Sequence, residues 1–176
     1  MSALSVLYIV LPILAVSLCH ALEVVFTARR WASHHSASSD EAHQSLVNIL
    51  FRLSGMNMSA LVIAAVVGFL AVLLSTAALF AGGLWAELVW TTVFMAYSVC
   101  ALISIVRAVT LKGYVPGLVT SIISVPLIAY AAYSLSLVWP WWGMLLFAIL
   151  GLVLAVAGHF IAQRIGRYST TISASL

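Results

Sequence analysis

The chain has 176 residues, 65% of them hydrophobic and 6% charged, with a net charge of +3. A soluble domain carries roughly 25% charged residues. That deficit, with long uncharged runs, excludes a soluble enzyme and predicts a polytopic α-helical membrane protein, with no sign of a nucleic-acid partner. Residues 1–168 read as a single transmembrane domain and 169–176 as a flexible tail.

Span one covers about residues 3–27, with Pro12 inside it. Neighbouring helices can satisfy the backbone groups that a membrane proline frees. It does not read as a cleaved signal peptide: no basic residue precedes it, and it carries His20 and Glu23. Residues 28–39 then read as a polar loop with Arg29, Arg30, Trp31 and the His34–His35 pair, ending in a helix start signal before Asp40 and Glu41. Within residues 41–53, Leu46, Ile49, Leu50 and Leu53 recur at i, i+3, i+4 and i+7. That stripe predicts a short amphipathic helix in the membrane interface, or across the mouth of the bundle.

Span two covers about 58–80 and holds no ionisable residue. Gly68 and several alanines allow a close helix approach. Ala81-Gly82-Gly83 is a tight turn. Span three covers about 84–106, and a short basic loop with Arg107 and Lys112 follows. Span four covers about 115–138 with Pro126 midway, and Trp139–Trp142 form an interfacial turn. Span five covers about 143–162 and holds His159, and the stretch after it reads as loose.

Every Lys and Arg falls on one side of this five-span layout. The positive-inside rule makes that side cytoplasmic, with the N-terminus outside. Trp85, Trp90, Trp139, Trp141 and Trp142 fall on the other side, as an aromatic belt. No internal repeat marks a duplicated transporter.

The chemistry concentrates in span one. His20 and Glu23 are three residues apart, so they share a helix face. Ionisable groups in hydrocarbon cost several kcal/mol unless they face protein or water. Helical rise puts Glu23 about 9 Å and His20 about 13–14 Å inside Arg29, and His159 about 7–8 Å inside Arg164. Two imidazoles and a carboxylate would suit zinc or iron. The same trio would serve as an acid–base set. It also fits a structural hydrogen-bonded pair that fastens helices, or part of an ion path. A lone carboxylate in hydrocarbon needs a partner, and the imidazoles in the bundle are the candidates.

The remaining polar groups read more simply. Glu87 lies a turn inside the outer interface and can reach water. His34, His35 and His43 lack ligand spacing and read as solvated. Tyr130 and Tyr133 share a face of span four and can line a cavity. Ser104, Thr120, Ser121 and Ser124 can bond their own backbone. Cys19 and Cys100 read as reduced, buried thiols. No phosphate loop, nucleophile elbow, zinc helix motif or paired-cysteine motif occurs.

His20-Ala21-Leu22-Glu23 closing the first span, with Tyr114-Val115-Pro116-Gly117-Leu118-Val119-Thr120 opening the fourth, resembles the HXXEE-domain family of small bacterial integral membrane proteins. The resemblance covers nearly the whole chain, through about a dozen specific residues. His20, Glu23 and the stretch from Tyr114 to Thr120 carry over. The second acid of the motif is Val24 here, and Leu102, Ile103 and Ser104 stand where family members often carry a histidine. The resemblance implies an enzymatic or metal-binding membrane protein, or, if two acids are required, a non-catalytic member.

Transport by this chain alone ranks last, because its intramembrane charges are too few to mark a continuous path. Two other functions lead on this reading. One is an intramembrane enzyme or metal-binding protein. His20, Glu23 and His159 form its site, and Tyr114, Thr120 and Tyr130 contact an apolar, lipid-like substrate. The other is an accessory subunit of a membrane transporter or complex.

Overall fold

The computed structural model describes residues 3–36 and 58–173. The amphipathic stretch 41–53, with His43, lies outside the described residues. Among the described residues five helices follow one another: α1 Ala3–Ser36, α2 Met58–Ala81, α3 Leu84–Thr110, α4 Leu118–Ser136 and α5 Trp141–Ser173. Each holds a stretch long and apolar enough to cross a membrane. No strand occurs among the described residues. The fold is an all-α polytopic membrane bundle.

In lipid, backbone groups must be paired within the segment, which enforces helices. Side-chain hydroxyls follow the same rule. Ser17, Ser98 and Ser124 donate to the carbonyls of Leu14, Phe94 and Ser121 at 2.8, 2.8 and 2.7 Å. Each therefore sits in an apolar helix without an unpaired donor.

Three helices extend beyond the expected spans, two of them in ways that matter for the site, while α4 is shorter than the expected 115–138. The stretch expected as a loop from Ala28 is helical through Ser36. It contains neither Gly nor Pro, and Ala and Arg favour helix. Trp31 anchors it: the ring is buried against Ala108, Leu111 and Val115, and its Nε1–H donates to the Tyr114 carbonyl at 2.6 Å. Helix α3 likewise runs past residue 106 to Thr110, so Arg107 stands on a helix instead of in a loop. That helix closes with paired end bonds. The Gly113 N–H meets the Ala108 carbonyl at 3.1 Å and the Lys112 N–H meets the Val109 carbonyl at 3.2 Å, with Lys112 left-handed at φ 49. The third difference is α5, which is helical through Ser173, beyond the expected end of span five.

Helix α1 lies against α2 and α4, while α3 lies against α2, α4 and α5. Helices α3 and α5 approach closely at Gly151, where an added Cβ would stand 2.7 Å from the Ala96 nitrogen. The larger core cluster holds Val10, Ile13, Val72, Trp90, Phe94 and Leu135. Trp90 belongs to this core and not to the aromatic belt. It is 2% exposed, stacks on Phe94 at 5.5 Å and donates its Nε1–H to Thr76 Oγ1 at 3.3 Å. Trp85, Trp141 and Trp142 are exposed, as an interfacial belt requires.

Candidate functional site

The site lies where α1 passes the start of α4. Pro116 and Gly117 end the linker after α3, and Gly117 is the N-cap of α4 at φ 88. Only glycine adopts this conformation without cost. A side chain is excluded for a second reason: a Cβ on Gly117 would stand 2.5 Å from His20 Cε1. The N-cap therefore has no side chain of its own to satisfy the first N–H groups of α4.

Glu23 supplies the cap from another helix. Its Oε1 accepts from the Val119 N–H at 3.2 Å and from the Tyr114 hydroxyl at 2.7 Å. Its Oε2 accepts from the Thr120 N–H at 2.8 Å and the Thr120 hydroxyl at 2.6 Å. Four donors thus converge on one carboxylate, two of them at the positive end of a helix. The expectation that an imidazole would be the direct partner of Glu23 is corrected: the partner is the N-terminus of α4.

His20 joins the same network one turn earlier. Its Nδ1 lies 3.0 Å from Thr120 Oγ1. Thr120 has one hydroxyl proton, and Glu23 Oε2 at 2.6 Å takes it in preference to the Gly117 carbonyl at 3.2 Å. The His20–Thr120 bond must then use a proton on Nδ1. In the neutral ring Nε2 holds the lone pair. Glu23 orients the imidazole through Thr120, as a carboxylate orients a catalytic histidine directly elsewhere. Outside the membrane segments, burial raises the Tyr114 phenol above its ordinary value; the Thr27 hydroxyl opposes this and the Glu23 carboxylate reinforces it.

His20 also lines a cavity of about 380 Å³ among α1, α2, α3 and α5. That volume is in the range of small-molecule sites. Its walls are mostly apolar, from Val72, Val93, Phe69 and Leu154 among others. Its polar groups include His20, Tyr97, Ser104, Arg107 and His159. The Tyr97 ring meets His20 edge to face at 6.2 Å. Ser124 stands beside its phenol but gives its own proton to Ser121, and among the described residues Tyr97 Oη has no partner at hydrogen-bonding geometry.

The expected residues therefore separate into two groups. His20, Glu23, Tyr114 and Thr120 meet around the start of α4. His159 lines the cavity with His20 but does not complete a ligand set. Among the described residues no group of three or more His, Cys, Asp or Glu could hold a metal ion. The physical reason is that Glu23 turns both oxygens to α4. The trio of His20, Glu23 and His159 does not fit zinc or iron. Tyr114 and Thr120 serve Glu23 and do not line the cavity, and Tyr130 and Tyr133 are exposed on α4, 54% and 65%.

Sequence reading names Tyr97 only as a span tyrosine whose hydroxyl needs a partner if buried, and Arg107 only as a loop cation; it places neither at the site. The signal was present. Tyr97, Cys100, Ser104 and Arg107 recur at i, i+3, i+7 and i+10, a polar stripe on an apolar helix. All four line the cavity.

A helical membrane protein whose first span carries a histidine and a carboxylate one turn apart, clamped to the fourth, is the class these features define. A family profile described as "Protein of unknown function with HXXEE motif" matches residues 11–131, and the chain belongs to that family. The matched stretch holds His20, Glu23, Tyr114 and Thr120 and stops before α5, so His159 lies beyond it. No curated protein and no solved structure matches the chain.

Proposed function

We propose that the chain binds a lipid-like molecule in the bundle cavity and acts on it by proton transfer at His20. The observation that carries this reading is the double placement of His20. Its Nδ1 is held by Thr120 and, through it, by Glu23. Its ring forms part of the wall of a largely apolar cavity. A neutral imidazole with a fixed tautomer is a general base at Nε2. It takes a proton from a polar group of the bound molecule and returns it later. The imidazolium formed between these steps gains from the nearby Glu23 carboxylate. An accessory subunit would need the Glu23 clamp but not the cavity beside it. The basic end of the bundle, with Arg107 and Arg164, faces the cytoplasm on the positive-inside rule.

The test is turnover. Protein purified in mild detergent is incubated with a total membrane-lipid extract, and products are followed by mass spectrometry. The wild type is expected to convert one component, and His20→Gln to lose roughly 100-fold or more of the rate. Equal conversion by both proteins, or none by either, would reject the enzymatic reading.

A further inference from the structure

The cavity has a charge character that its acid–base group does not explain. Arg107 lines it, half-buried, on the stripe that also carries Tyr97. Among the described residues the electrostatic neighbour of the guanidinium is the Cys100 thiol. No Asp or Glu among the described residues lines the cavity. The one position where the family motif would place a second acid in the lining holds Val24, 2% exposed. Among the described residues the wall therefore carries one permanent positive charge, two imidazoles and no acid.

A guanidinium held in an apolar wall is stabilised by an oxyanion that enters with the ligand, since it offers five N–H donors in a fixed fork. Helical rise puts Arg107 about 15 Å along α3 from Tyr97, the residue that touches His20. One end of the cavity is therefore cationic, and the reactive end lies deeper along the same stripe. We infer that the occupant is an amphiphile with an anionic oxyacid head, carboxylate or phosphate, seated on Arg107 and with its chain extending toward His20 and Tyr97. This rests on the reading of the cavity as a lipid-like site and names the class of molecule it takes.

The experiment titrates the purified full chain in a neutral detergent by native mass spectrometry with three probes that share one chain: oleate, 1-oleoyl-lysophosphatidate and oleyl alcohol. At least one anionic probe is expected to bind the wild type about tenfold or more tighter than the alcohol, the scale of charge-assisted hydrogen bonds. Arg107→Gln is expected to bring the anionic probe down to the level of the alcohol and to leave the alcohol within about twofold. Tight binding of oleate alone identifies a carboxylate head, and of lysophosphatidate alone a phosphate head. Equal wild-type affinities for all three, or no loss in Arg107→Gln, would overturn the anionic head while leaving an apolar site. Failure of all three to bind would overturn the lipid-like cavity itself. The wild-type comparison decides the matter even where the variant does not fold.

Discussion

Glu23 and Thr120 are joined twice: the Thr120 N–H and its hydroxyl both donate to Glu23 Oε2, at 2.8 and 2.6 Å. The carboxylate of one span is thereby the N-cap of another. An N-cap is worth about 0.5–2 kcal/mol in a soluble helix, and hydrogen bonds to charged groups about 1.5–3. Glu23→Gln keeps the shape but sets an amide NH₂ among four donors. Stability in detergent should fall by about 2–3 kcal/mol. Thr120→Val, which keeps the backbone bond, should fall by about 1–2 kcal/mol. Denaturant titrations that left Glu23→Gln as stable as the wild type would refute the clamp.

Gly117 packs directly against the His20 ring. Gly117→Ala would place a methyl 2.5 Å from the imidazole at a left-handed backbone position. The backbone alone costs about 1–2 kcal/mol. The ring must also leave Thr120. Nitrogen-15 NMR of labelled histidine should show the Nδ1–H form of His20 in the wild type and a mixture of tautomers in Gly117→Ala. An unchanged His20 signal would contradict this packing.

Gly68 makes the opposite case. It lines the cavity, and a Cβ there would meet nothing within 4 Å. Gly68→Leu should fill the cavity without unfolding the bundle, and helix propensity favours the change by about 0.5–1 kcal/mol. Thermal stability should hold or rise while oleyl-chain probes lose binding. A variant that binds as the wild type does would show that the cavity is not their site.

Tyr114 links the clamp to pH. Its phenol is neutral where it donates to Glu23, and burial raises it above its ordinary value. A raised acid contributes stability in full below its unfolded value near 10. That contribution is lost as pH rises through the folded value. Unfolding followed across alkaline pH should show the wild type losing an advantage over Tyr114→Phe that it holds at neutral pH. Parallel curves for the two proteins would exclude a role for the phenol.

Hydropathy and a one-turn spacing were enough to read the five spans and the shared face of His20 and Glu23. Both signals are local, and a lipid solvent enforces them strongly. The partner of Glu23 was not legible in the same way. Thr120 is 97 residues away, and no periodicity in span one encodes which helix start will face it. The metal trio came from depth alone, and depth does not fix azimuth: His159 lies on a helix that reaches the cavity, while Glu23 turns from it toward α4. Arg107 was misplaced because a basic residue near a span end reads as loop. Its i+10 register with Tyr97 was the overlooked clue.

The clamp also sets a timetable for synthesis. Glu23 leaves the ribosome 97 residues before Thr120. At about 5–20 residues per second that is an interval of roughly 5–20 s. Throughout it, α1 holds a carboxylate in the bilayer whose cap has not been made. The arrival of α4 ends that exposure, so the first span completes its own insertion chemistry only when the fourth is delivered. A chain truncated after α3 is left with this carboxylate still uncapped.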